Sequence, residues 1–262
     1  MPDQLPTSEA EQRAERERQA FNRGLKRDLL DRVMNHVNSG PPALRRAEYL
    51  NAALAAASGK RVLEIGSTAW TVWIDPTRGF PARLDCINIS EAEIESGRAL
   101  AESVGLGDKI VFSRMDAQKL EFPDETFDLV YGGAIFHHLD CKAAFSEARR
   151  VLKKDGTFLI TEPLGMNPVA KLIRWLTPAA RTPDEKPFDS VEINMLRNLF
   201  KIEHFETYDL LFVPAAVASG FFFQSPSNPL TKAGDAIDRG IFAAIPPARY
   251  WARQALFACR KQ

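Results

Sequence analysis

The sequence predicts a doubly wound α/β fold, a mostly parallel seven-stranded sheet with helices on both faces. Two observations carry that expectation. From Gly59 onward, short apolar runs alternate with stretches of helical character, the rhythm of βαβ units. The first run, Val62-Leu63-Glu64-Ile65-Gly66, reads as a buried strand that ends on a glycine.

The elements follow in order. The first residues, through Arg18, are highly charged and lack the apolar core of a signal peptide. Leu29, Leu30, Val33 and Val37 recur near helical spacing and predict a helix over 25–37. Asn38-Ser39-Gly40-Pro41-Pro42 breaks it, and a second helix is expected over 43–57. Strands are expected near 61–65, 83–88, 109–113, 127–132 and 156–161, with helices between them. Ser90-Glu91-Ala92-Glu93 reads as a capping box opening one helix, and another is expected over 141–152. Two last strands, over 199–212 and 256–260, are expected to pair antiparallel. The run from Phe212 to Phe223 is almost uncharged, and Ile241 to Pro247 with Tyr250 and Trp251 adds to it. So much apolar surface needs a cover: a greasy pocket, a second subunit, a membrane surface, or a further layer of core. Three regions result: an N-terminal helical lid over 1–58, an α/β core over 59–212, and an apolar extension with the final strand over 213–262.

Within that frame the order and spacing of several motifs are informative. Val62–Gly66 is followed by Arg114-Met115-Asp116-Ala117, then Phe127-Asp128-Leu129-Val130-Tyr131, then Arg150 to Thr161. Together they resemble the class I S-adenosylmethionine-dependent methyltransferases, in the small-molecule branch that includes ubiquinone and menaquinone C-methylases. The resemblance covers 59–161 well and the rest weakly. It implies S-adenosyl-L-methionine as cofactor. Glu64 would be the carboxylate that orients the first loop, with Gly66, Ser67 and Thr68 meeting the amino-acid end through backbone amides. Asn88 falls at the ribose position, Asp116 and Ala117 at the adenine, and Gly133 where the sulfonium comes close. Asp128 is expected to face away from the cofactor and to be structural.

Two departures from the family pattern stand out. Where the family has Glu-x-Gly-x-Gly-x-Gly, this chain has Glu64-Ile65-Gly66-Ser67-Thr68-Ala69-Trp70, so only the first glycine remains. Asn88 replaces an acid, and an amide offers the ribose one acceptor and a donor pair instead of two charge-assisted acceptors.

His137-His138 follows at the carboxyl end of the fourth strand, where α/β proteins place ligands. Histidine takes a proton near neutral pH, so either ring is a candidate general base. A structural alternative has one histidine capping the next helix and the other packed. No metal is expected, since adjacent histidines rarely face one ion and no third ligand is near in sequence. The polar, proline-rich stretch 177–187 reads as an acceptor loop, in which Arg181 either clamps an acidic group or pairs on the surface.

Composition narrows the function classes. Lys plus Arg and Asp plus Glu are equal at 34 each, which gives no electrostatic case for nucleic acid. Three cysteines without metal-like spacing suggest a reducing compartment, and no stretch has the length of a membrane span. The expectation is a cytoplasmic methyltransferase of a small apolar or aromatic metabolite, with O-, C- and N-methylation open. Peripheral membrane contact or a homodimer through the apolar extension also stays open. The alternative is an inactive methyltransferase-like binding or scaffolding protein; a nicotinamide dehydrogenase is disfavoured for want of the glycine fingerprint.

Overall fold

A computed structural model describes residues 35–66, 79–168, 171, 185–223 and 225–262. Ser67, Thr68, Trp70, Arg181 and the first part of the expected lid lie outside the described residues. Residues 35–38 are helical, and Gly40 caps a helix α1 over Pro41–Ala55 with prolines in its first turn. That start precedes the expected one, because proline lacks only an N–H that the first turn leaves unbonded anyway.

The sheet contains β1 (Arg61–Ile65), β2 (Arg83–Asn88), β3 (Ile110–Arg114), β4 (Phe127–Gly133), β5 (Leu152–Pro163), β6 (Lys201–Tyr208) and β7 (Gln254–Arg260). Its order is β3-β2-β1-β4-β5-β7-β6. β2 and β4 both pair parallel with β1, so the connections leave β1 in opposite directions. Only β7 runs against the others, antiparallel to both β5 and β6. The doubly wound, mostly parallel seven-stranded sheet is as expected, and the strand positions follow the apolar runs. β5 begins earlier than expected, directly after the helix α3 (Cys141–Val151).

Pleating divides the sheet into two cores, since alternate side chains take opposite faces. Val62, Leu84, Cys86, Leu129, Leu159 and Leu256 pack with α1 and with α2 (Glu91–Ser103). Leu63, Ile65, Val130, Phe158 and Phe257 pack with α3 and with α4 (Ser190–Leu199). Asp128, as expected, serves the frame: it accepts from the Arg61 amide and from the Lys153 ammonium, each at 3.0 Å. Ser90 caps α2 by accepting from the Glu93 amide at 3.4 Å.

The expected strand over 199–212 is corrected at its end. β6 stops at Tyr208, and Phe212–Phe222 forms a helix, α5, followed by α6 (Pro229–Ala244). The Asp238 carboxylate accepts from the amides of Leu210, Leu211 and Phe212 at 2.9, 2.7 and 3.1 Å. Two of the unpaired N–H groups at the start of α5, and the amide just before it, are thereby satisfied by a side chain of α6. The apolar extension is thus a helical hairpin. Phe212 and Ala216 are buried against Val37, while Phe221 and Phe222 at the far end of α5 are each 78% exposed. No helix among the described residues is long and apolar enough to cross a membrane.

Candidate functional site

The switch between β1 and β4 leaves a crevice beyond the carboxyl ends of the strands, the usual ligand position in open α/β sheets. Gly66 ends β1 at φ +101, a conformation that a side chain would strain. Its amide donates to the Ile87 carbonyl at 2.9 Å. Its own carbonyl accepts from the Asn88 side-chain amide at 2.7 Å, while the Asn88 side-chain oxygen accepts from the Ser90 amide at 2.9 Å. Asn88 therefore pins the first loop to the second. A carboxylate has no donor for the Gly66 carbonyl, so the departure from an acid has a structural counterpart.

β3 leads into Met115, whose amide donates to the Asn88 carbonyl at 3.0 Å. Asp116 then accepts from the Gln118 backbone at 2.8 Å and from the Gln118 side chain at 3.1 Å. That is an Asx turn, which fixes the backbone around Asp116 and buried Ala117. Gln118 carries the bond onward by accepting from the Asp140 amide at 2.9 Å.

The rest of this loop is held by α3. Arg150 donates to the carbonyls of Leu120 and Phe122 at 2.9 and 2.8 Å, and it pairs with Glu147 at 2.8 Å. Glu147 also accepts from the Leu120 amide at 2.8 Å. The Arg150 guanidinium holds the Glu147 carboxyl below the usual carboxylate range; burial pushes the other way, and the Leu120 amide adds to the lowering. A folded-state value below the unfolded one stabilises the fold above the unfolded value, near pH 4.3. That stability is lost as pH falls through the lowered value. Glu147→Gln is therefore expected to lower stability by about 1 kcal/mol near neutrality. In thermal melts the gap to wild type should close between about pH 5 and pH 3; a gap independent of pH would contradict this account.

At the end of β4, a Cβ on Gly133 would stand 3.1 Å from the Tyr131 hydroxyl and 3.5 Å from the Thr161 hydroxyl oxygen. Ala134 takes a left-handed backbone, φ 54, and its amide donates to the Thr161 carbonyl at 2.7 Å. This turn aims the next residues back across β5. Phe136–His138 forms a single 3₁₀ turn, and Glu162 lies beneath it. One Glu162 oxygen accepts from the amides of Ile135 and Phe136 at 3.0 and 2.8 Å, and the other meets His137 Nδ1 at 2.7 Å. Glu162 is 1% exposed and His137 7%. With Nδ1 bonded to a carboxylate, the neutral ring carries its proton there, and Nε2 holds the lone pair.

His138 packs its ring 4.0 Å from that of His137. Neither histidine caps the following helix. Asp140 does so, accepting from the amides of Lys142 and Ala143, which corrects the capping alternative. Glu64 is buried on β1, in register with Tyr131 on β4. Burial first, and then the Glu64 charge, push the Tyr131 hydroxyl well above its ordinary value, so it stays protonated as a donor.

Glu64, Gly66, Asn88, Asp116, Ala117, Gly133, His137 and His138 all fall at or just beyond the carboxyl ends of neighbouring strands β1 to β4. Glu162 was not singled out from the sequence. The available signal was a carboxylate closing an apolar strand, Phe158-Leu159-Ile160-Thr161-Glu162, where a charge must find partners. No group of metal-binding side chains occurs among the described residues.

Comparison with known proteins bears on this arrangement. Residues 63–160 match the family model described as a methyltransferase domain. A sterol 24-C-methyltransferase of Gibberella zeae is 33% identical over 119 residues, covering 45% of this chain and 31% of that protein. The 27-O-demethylrifamycin SV methyltransferase of Amycolatopsis mediterranei is 28% identical over 137 residues, half of each chain. This chain thus spans 31% to 50% of the length of these curated relatives. Geranyl diphosphate C-methyltransferase of Streptomyces coelicolor superposes with a TM-score of 0.60 at 16% identity, covering 84% of this chain and 79% of that one. That structure holds S-adenosyl-L-homocysteine, geranyl diphosphate and Mg2+. The matched residues 63–160 are those of the resemblance to methyltransferases, with a first glycine motif reduced to Gly66.

Proposed function

We propose that this chain transfers a methyl group from S-adenosyl-L-methionine to a small apolar or aromatic acceptor. The observation that carries the reading is the convergence at the β1–β4 switch. There a positive-φ glycine, a polar ribose position, the Asx turn of Asp116 and a buried His137–Glu162 pair share one end of the sheet. The residues suit the cofactor: Gly66 and Gly133 leave backbone uncovered, Asn88 keeps one N–H and one lone pair beyond those it uses, and Ala117 offers an amide. Ser67 and Thr68 complete the proposed set on the first loop. Its relatives in sequence methylate a sterol and a rifamycin, by their names, which supports a bulky, mostly apolar acceptor.

The bound cofactor would supply an electrophilic methyl on a sulfonium. What the chain itself supplies is alignment and exclusion of water, which account for most of the rate in such a displacement. Where the acceptor atom bears a proton, His137 Nε2 is the proposed base. Glu162 fixes the tautomer and stabilises the ring once charged.

Titration with S-adenosyl-L-methionine tests the reading directly. Wild type should bind at micromolar levels. Asp116→Ala should bind about 1–3 kcal/mol more weakly, through loss of a hydrogen bond to the adenine and of the turn that shapes the loop. An undiminished affinity would remove Asp116 from the adenine position. No binding by wild type would instead favour the second reading, a domain retained as a binding or scaffolding partner, to which the missing glycines of the first loop point.

A further inference from the structure

Where β6 ends and β7 begins, a half-buried guanidinium stands without an ion pair among the described residues. Arg46 reaches down from α1, donates to the Gln254 side-chain oxygen, and places its guanidinium 5.9 Å from the centre of the Tyr208 ring. The neighbouring cations are matched. Arg45 pairs with Asp235 and Glu206. Arg253 gives two hydrogen bonds, of 3.1 and 2.8 Å, to one oxygen of Asp209. Among the described residues Arg46 has no carboxylate of its own: the attraction of Asp209 is offset by the repulsion of Arg253, and burial holds the guanidinium below its ordinary pKa. Under it, the Tyr208 hydroxyl is buried, in a residue 1% exposed, near the Glu206 carboxylate but without a hydrogen bond of good geometry among the described residues.

Position identifies what this corner would serve. Gln254 is in register with Pro163 at the end of β5, next to Glu162, and with Tyr208 on β6. β7 is the third strand from β1 in the sheet order, so at ~4.8 Å per strand it lies roughly 14 Å from the Gly66 turn. The proposed cofactor residues occupy β1 to β4, and Arg46 approaches from the α1 face of the sheet, the face that carries Tyr131 and Tyr208.

We propose that Arg46 and Tyr208 form a subsite for a carboxylate borne by the methyl acceptor, remote from the atom that is methylated. The planar, forked donors of a guanidinium match a carboxylate, and the phenol adds a third donor. This rests on the methyltransferase reading for the identity of the ligand, though not for the existence of the anion site. Tyr131 and Tyr208 make an aromatic acid the natural probe.

The experiment titrates the full chain with 1-naphthoate and with neutral 1-naphthamide, and separately with S-adenosyl-L-homocysteine. Wild type is expected to bind the acid at least about tenfold tighter than the amide. Arg46→Met should abolish that preference, leave the homocysteine product's affinity unchanged, and melt at higher temperature without ligand, because a half-buried charge without an ion pair is gone. Equal binding of acid and amide by wild type, or a preference that survives in Arg46→Met, overturns the proposal. So does a lower melting temperature of the variant, which would make Arg46 structural. Weakened binding of the homocysteine product in the variant would assign the guanidinium to the cofactor's own carboxylate and likewise overturn it. Acid preference without any binding of that product would keep the subsite and remove the methyltransferase reading; the reverse pattern would do the opposite.

Discussion

His137→Gln is expected to lower methyl-transfer turnover by about 10²–10⁴ with cofactor affinity nearly unchanged. The size of the effect follows from the pairing with Glu162. Glutamine can still donate to the Glu162 oxygen that His137 Nδ1 meets at 2.7 Å, so the 3₁₀ turn keeps its anchor, but it cannot take a proton. Glu162→Gln probes the same bond from the other side. Its amide oxygen can serve the Ile135 and Phe136 amides, and its NH₂ then faces His137 Nδ1. The ring must accept there and carry its proton on Nε2, the wrong tautomer for a base. Turnover should fall by a similar factor in a protein that folds normally. The same change at His138 is the comparison. Equal losses at both histidines would tie the effect to the packed ring pair, and wild-type turnover in all three variants would leave methyl transfer resting on positioning alone.

Glu162→Ala should cost about 3–5 kcal/mol of folding stability, the largest single-residue loss expected in the crevice. The carboxylate accepts two backbone amides and one ring nitrogen inside the core. Removing it strands three donors where no water reaches, each with its own desolvation penalty. Denaturant unfolding measures the loss, and its midpoint should move with little change in slope. A change below about 1 kcal/mol would mean that the turn finds other partners, and that Glu162 is not what holds the His137 ring.

The frame was legible because it rests on local patterns. β1 and β2 are short apolar runs whose ends fall on residues that stop a strand, Gly66 and the Asn88–Ser90 turn. Asp128 could be assigned to the frame through the family resemblance, which keeps it facing away from the cofactor, and it stands at the opposite end of β4 from the crevice. The helical hairpin was not legible. Phe212 to Phe222 is apolar on all sides, so neither a helical nor a strand period stands out, and its start is fixed by Asp238, far along the chain. In the crevice, the positions of Asp116 and the histidines followed from motif order, but their partners did not. Gln118 and Glu147 belong to no motif, and Arg150 only opens one. Asn88 looked like a weakened ligand in sequence; in three dimensions it is also the clasp on Gly66.

β6 has one neighbour in the sheet, β7, and β7 is also what joins it to β5. On a ribosome the strands up to β5 can assemble as they emerge, whereas β6 must wait through both hairpin helices for its partner. During that interval β6 and the outer edge of β5 both present open backbone, the arrangement most prone to pairing with a neighbouring nascent chain. Glu162 lies on that outer edge, opposite Ala255. The last strand to be synthesised therefore closes the sheet beside the His137 turn, so a chain stalled within the hairpin would have its cofactor crevice before the wall that supports its candidate base.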